Sequence, residues 1–155
     1  MIKIITIGFI KEQYLKDAIT EYKKRISKYT NLEIIELKDE DFGEIEKTLK
    51  VEEEKILKQI SDRDYIITLE IEGKELTSIE FAKKIESIQL ENSNITFIIG
   101  GSYGLSENIK NKANYHLSFS KMTFPHQLFR VLLLEQIYRA YKINNNESYH
   151  KYVFL

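Results

Sequence analysis

Two periodicities of hydrophobic residue alternate along the chain. Apolar, β-branched runs predict five strands: "IKIITIGF" from Ile2, "LEIIEL" from Leu32, "DYIITLEI" from Asp64, "ITFIIG" from Ile95 and "YHLSFS" from Tyr115. Segments of helical spacing lie between them. In "KEQYLKDAITEYKKRISKYT", Tyr14, Ala18, Tyr22 and Ile26 predict one apolar face. "EIEKTLKVEEEKILKQI" is heavily charged, and its Ile45, Leu49 and Leu57 leave only a narrow stripe, which places this helix on the outside. Thr77 and Glu80 predict a capping box opening "SIEFAKKIESIQL", and Ser106 can cap the short "ENIKNKA". A long last helix runs from Pro125 to about Ile143, with Pro125 suited to its first turn and Thr123 to its cap.

Strands separated by helices imply βαβ units, hence an α/β fold with a mainly parallel sheet and helices on both faces. No repeat, linker or low-complexity run divides the chain, and 155 residues at 43% hydrophobic content suit a single domain over 1–155. Ligands of such folds collect at the carboxyl ends of strands. The loops after residues 69–71, 98–100 and 119–120 are therefore expected to converge. In the last helix Leu128, Val131, Leu132, Leu134, Ile137, Tyr138 and Tyr141 cannot all face one sheet, so a second covering surface is needed and a homodimer is expected.

The absence of cysteine excludes disulfides, thiolate metal sites and a cysteine nucleophile, and it suits a reducing cytoplasm. The opening "MIKIITIGFIKEQ" is interrupted by Lys3 and reads neither as a signal peptide nor as a membrane span. A soluble cytoplasmic protein with no membrane partner is expected. Net charge is −1, but from Lys110 onward seven Lys or Arg face two acids, and His116, His126 and His150 all lie in that part. A basic solvated helix face accounts for this; so does a surface for a polyanion.

"IIGGSYGLSEN" sets Gly100, Gly101 and Gly104 at a strand end before a capped helix, where a ligand can reach backbone amides. A tight turn alone would also need glycine. The spacing G-G-x-x-G is neither the dinucleotide fingerprint nor a P-loop, which disfavours a pyrophosphate cofactor. "SFSKMTFPHQLFR" gathers Lys121, Pro125, His126 and Arg130, with His126 and Arg130 one helical turn apart. The structural alternative packs His126 on the sheet and pairs Arg130 with a carboxylate. Glu135 and Arg139 read as a surface or interface pair. No His-x-x-x-His, paired acid cluster or Gly-x-Ser-x-Gly elbow occurs, so metal and serine hydrolysis are unsupported and no metal is expected. "NNNESYHKYVFL" puts Tyr149, His150 and Lys151 on a tail expected to be mobile.

Together "TLEIEGK", "FIIGGSYGLS", "LSFSKMTFPHQLFRVLLLEQIYRAYKI" and "SYHK" resemble the RlmH family of SPOUT methyltransferases, and the resemblance runs from Met1 to Lys151. It implies a homodimeric SPOUT α/β-knot whose C-terminal third forms a trefoil knot. The hydrophobic pattern could not have produced that, since knots are nearly absent among folds. The resemblance further implies S-adenosylmethionine as cofactor, held by Leu69, by Gly100 with Gly101 and Gly104, and by Phe119, Ser120, Lys121, Met122, Thr123 and Phe124. The implied reaction methylates N3 of a pseudouridine in the helix 69 loop of 23S ribosomal RNA, on the assembled 70S ribosome. The proton on N3 must leave, so a base or an imidate-stabilising cation is wanted. His150, then His126, are the base candidates; Arg130 and Lys151 are the cation candidates, and Tyr149 belongs to the same closing motif. Members are expected to finish near Y-H-K or Y-H-R, whereas "YVFL" follows here, which bears most on His150. A non-catalytic dimeric ribosome-binding protein of the same fold is the alternative, and a nucleotide-binding α/β domain is a weaker one.

Overall fold

The computed structural model describes residues 1–151; Tyr152 to Leu155, which follow the Y-H-K motif, lie outside the described residues. Its elements are β1 (Ile2–Ile7), α1 (Gln13–Ile26), β2 (Leu32–Leu37), α2 (Ile45–Leu57), β3 (Asp64–Glu75), α3 (Ser78–Glu91), β4 (Asn94–Ile99), α4 (Glu107–Lys112), β5 (Tyr115–Ser118) and α5 (His126–Asn144). The five strands form one sheet in the order β2-β1-β4-β3-β5, every pair parallel. All carboxyl ends therefore lie along one edge.

Alternation within the strands makes two cores. Ile2 and Ile4 of β1, Ile95 and Phe97 of β4 and Ile67 of β3 point to one face, beneath α1, α3 and α5. Ile5, Ile7, Ile66 and Ile98 point to the other, where Ile56 of α2 and Ile109 of α4 cover them. The predicted α/β class and the helices on both faces are thus present.

Four local expectations are corrected. In α1, Tyr14 is exposed, and the inward stripe is Leu15, Ile19, Tyr22 and Ile26, one residue out of phase with the expected start. In α2, Ile45 is exposed and Leu49 and Leu57 only half-buried, while Thr48, Glu52 and Ile56 are buried. Two of those three are polar, so hydrophobicity alone points to the wrong face. In α5, Pro125 is the N-cap with no side-chain cap hydrogen bond, and the helix begins at His126, so Thr123 does not cap it.

The fourth correction shapes the site. β3 does not end near Ile71 but continues to Glu75, and its pairing with β5 skips from Leu69 to Lys74, so that residues 70–73 bulge out of the ladder. Gly73 permits the close return: a Cβ there would lie 2.7 Å from the Leu117 carbonyl carbon.

Of the apolar α5 residues, Leu134, Ile137, Tyr138 and Tyr141 are buried, whereas Leu128 is exposed and Val131 and Leu132 are half-covered. The expected capping box is complete. Thr77 Oγ1 accepts from the Glu80 amide at 3.1 Å, and Glu80 Oε1 accepts from the Thr77 amide at 2.8 Å. Thr77→Ala is expected to lower stability by about 1 kcal/mol. The check is a lower urea midpoint at unchanged slope.

Candidate active site

The three expected loops do converge. The β3 bulge, the glycine loop after β4 and the segment after β5 enclose a cavity of about 380 Å³, a size suited to a small organic ligand. Each wall has a local reason. β4 ends in buried Ile99 and passes at once into buried Gly100 and Gly101. The turn closes through the Gly104 amide, which donates to the Gly101 carbonyl at 3.1 Å. It closes so tightly that a Cβ on Gly100 would sit 2.5 Å from the Gly104 carbonyl oxygen. At its exit, Ser106 accepts from the Ile109 amide as the α4 cap and donates to Glu53 Oε1 at 2.6 Å, tying the loop to α2.

The third wall folds back on α5. Ser118 Oγ donates to the Ser120 carbonyl at 3.1 Å, and the Met122 amide donates to Ser120 Oγ at 3.0 Å. Phe119 and Phe124 then pack against Phe129, with ring centroids 4.8 and 5.9 Å away. The resulting rim is apolar and partly open, for Met122, Tyr103 and Ile71 are all exposed.

Leu69, Gly100, Gly101, Gly104, Phe119, Ser120, Met122, Thr123 and Phe124 all line the cavity; Lys121, also expected there, is exposed and is not among its lining residues. His126 lines it too. Arg130, one turn further, does not share it. Its guanidinium is buried, pairs with Glu36 Oε2 at 3.0 Å and donates to the Ile7 carbonyl at 2.9 Å. Burial pushes that guanidinium below its ordinary pKa, and Glu36 works against the shift. The structure thus builds the carboxylate pairing that stood as the alternative for Arg130.

The tail is docked rather than loose as far as His150. Tyr149 packs edge-on against Tyr138 at 4.9 Å, and the Arg139 guanidinium lies over its ring at 4.9 Å. Burial, with Glu135 adding to it, pushes the Tyr149 phenol up. Arg139 donates to Glu135 and brings Nη1 to 3.0 Å from His150 Nδ1, while Lys151 is exposed. Arg139 is thus more than half of a surface pair: it joins the tail to α5. Its contact with a residue eleven positions on left no mark in the sequence pattern. From His126 to Arg139 the helix rises roughly 20 Å at 1.5 Å per residue, so the docked tail lies far from the His126 side of the cavity.

A polar cluster beside the cavity escaped the sequence reading. Thr68 Oγ1 donates to Glu70 Oε2 at 2.6 Å, His116 Nδ1 pairs with the same oxygen, and Lys110 Nζ is 3.9 Å from Glu70 Oε1. The available signal was two polar residues at i and i+2, one strand face, within an apolar run. Among the described residues no group of three or more His, Cys, Asp or Glu could hold a metal ion, and no helix is long and apolar enough to cross a membrane.

Over residues 1–150 the chain matches the family model described as "Predicted SPOUT methyltransferase". A protein of Methanococcus maripaludis is 57% identical across 97% of this chain and 99% of its own length. Proteins named "Ribosomal RNA large subunit methyltransferase H" from Clostridium acetobutylicum and Streptococcus pneumoniae are 52% and 50% identical with the same coverage. A solved structure, a "probable methylase family protein" from Haemophilus influenzae Rd KW20, superposes with a TM-score of 0.58 over 97% of this chain and 70% of that one; at 18% identity this likeness concerns the fold.

Proposed function

The chain belongs to the SPOUT methyltransferase family, and on that premise we propose that it methylates ribosomal RNA of the large subunit, with S-adenosylmethionine as donor. The full reading is transfer to N3 of a pseudouridine in the helix 69 loop of 23S ribosomal RNA, on the assembled 70S ribosome, by a cytoplasmic homodimer. The observation that carries it is the convergence of the three strand-end loops on one cavity. A trefoil knot through the C-terminal third belongs to the same reading.

The cavity fits that cofactor: it is largely apolar, and the glycine turn in its wall is too tight for a Cβ on Gly100. Leu69, Gly100, Phe119, Ser120 and residues 122–124 would hold the cofactor, which when bound supplies a methyl group on a positively charged sulfur. Phe119, Phe124 and Phe129 would give the bound cofactor an apolar wall. For an in-line displacement most of the acceleration can come from holding the two partners in register.

The uracil N3 must also lose its proton. Arg139 can only donate, so a neutral His150 accepts at Nδ1 and carries its own proton on Nε2. A ring in that tautomer suits the negative charge that grows on the uracil oxygens. Proton acceptance then falls to His126, which lines the cavity. His150 is held at Arg139, roughly 20 Å along α5 from His126, so it would serve the partner's cavity. Exposed Leu128, Phe9 and Tyr14 offer the apolar surface for such a dimer.

The test is incubation with methyl-tritiated S-adenosylmethionine and, separately, unmethylated 70S ribosomes, 50S subunits and naked 23S RNA, followed by nuclease mapping. Label confined to 70S and the helix 69 pseudouridine is expected. Cofactor binding without label on any RNA would overturn the substrate; no cofactor binding would favour the ribosome-binding alternative.

A further inference from the structure

The loops and phenylalanine rings around the cavity can grip adenosine and the methionine chain, but these parts are common to S-adenosylmethionine and its demethylated product, S-adenosylhomocysteine. The two differ in one methyl group and in the positive charge on sulfur. Only a charged group held near the sulfur can use that second difference at any distance.

The charged residues lining the cavity are Glu70, Glu72 and Lys110, with His126 titratable beside them. Glu72 is exposed, so water and salt screen it. Glu70 is not: its side chain keeps 10% of its accessible surface. It is also fixed in place. Oε2 takes the Thr68 hydroxyl at 2.6 Å and the His116 ring nitrogen, and Thr68 Oγ1 itself lies 3.0 Å from that nitrogen. Oε1 has no hydrogen-bond partner among the described residues; Lys110 Nζ at 3.9 Å is its nearest cation and lies beyond hydrogen-bond range. The result is a clamped carboxylate with one oxygen uncommitted, on a residue that lines the cavity.

We propose that Glu70 is a specificity-determining residue that makes the cavity prefer the charged methyl donor over the uncharged product, with Lys110 as the opposing charge that limits this preference. The inference rests on the cofactor reading above. Its consequence is directional: loss of the methyl group discharges the sulfur and removes the attraction to Glu70, so product leaves more readily than donor.

The experiment is calorimetric titration of the full chain with each of the two compounds. In Glu70→Gln, which keeps the shape and the Thr68 hydrogen bond, donor affinity is expected to fall about tenfold while product affinity stays within about twofold. Lys110→Gln should move the donor-to-product ratio the opposite way. Retained product binding shows in the same titration that the cavity is intact. An unchanged ratio in Glu70→Gln, or equal weakening for both compounds, overturns the inference and leaves the cofactor reading standing. Binding of neither compound by the unsubstituted protein overturns both.

Discussion

Gly100→Ala is expected to weaken S-adenosylmethionine binding about a hundredfold while the chain stays folded. The added Cβ would meet the Gly104 carbonyl oxygen at 2.5 Å and its carbon at 2.6 Å. Both are backbone atoms, so no rotamer change relieves the contact. The turn is further held shut by the Gly104 to Gly101 hydrogen bond and the Ser106 to Glu53 contact at its exit. The loop must therefore open, and it opens at the wall of the cavity. Ile99, one residue earlier, stays in the core, so the fold keeps its apolar contacts. Titration with the cofactor, alongside a thermal melt, checks the two halves of this expectation. Unchanged affinity would remove the glycine loop from the site.

How far the sequence could be read follows from the range of each interaction. The Thr77–Glu80 capping box and the Ser106 cap span three residues, and both are where the pattern put them. Strand order was not predicted, yet the loops that meet at the cavity were, because a parallel sheet delivers every carboxyl end to one edge. Longer-range features were hidden. The 70–73 bulge exists only because β3 resumes pairing with β5 after it, which no property of "EIEG" announces. α2 buries Glu52 because Glu52 Oε2 accepts from the Glu40 amide at 3.4 Å and faces Gly101, whereas the more hydrophobic Ile45 has nothing to cover. The docking of Tyr149 and His150 depends on Arg139 bridging the tail to α5. Composition alone would leave that tail frayed. Arg130 looked available in sequence, and Glu36 on the edge strand holds it instead.

At the opposite edge of the sheet, Asp64→Ala is expected to cost about 3–5 kcal/mol of stability without altering the cofactor affinity of the protein that remains folded. Lys3, Asp64 and Asn94 meet at the amino ends of β1, β3 and β4. Asp64 Oδ2 lies 2.9 Å from Lys3 Nζ and accepts from the Ser61 amide at 3.0 Å, and Oδ1 accepts from Asn94 at 3.1 Å. The Asp64 side chain is fully buried, so its removal leaves the Lys3 ammonium in the interior with, among the described residues, the Gln59 carbonyl alone as partner. Burial on its own would raise the Asp64 pKa, but the Ser61 amide, Lys3 and Asn94 together hold it below its ordinary 3.8. A carboxylate whose pKa is lower folded than unfolded stabilises the fold fully above the unfolded value and loses that contribution as pH falls through the folded one. The urea midpoints of the natural protein and an Asp64→Asn variant should therefore stand well apart at pH 7 and draw together below about pH 4. A gap that persists unchanged into that acid range would show that the charge contributes nothing and that the hydrogen-bonding pattern sets the difference, since asparagine keeps the shape.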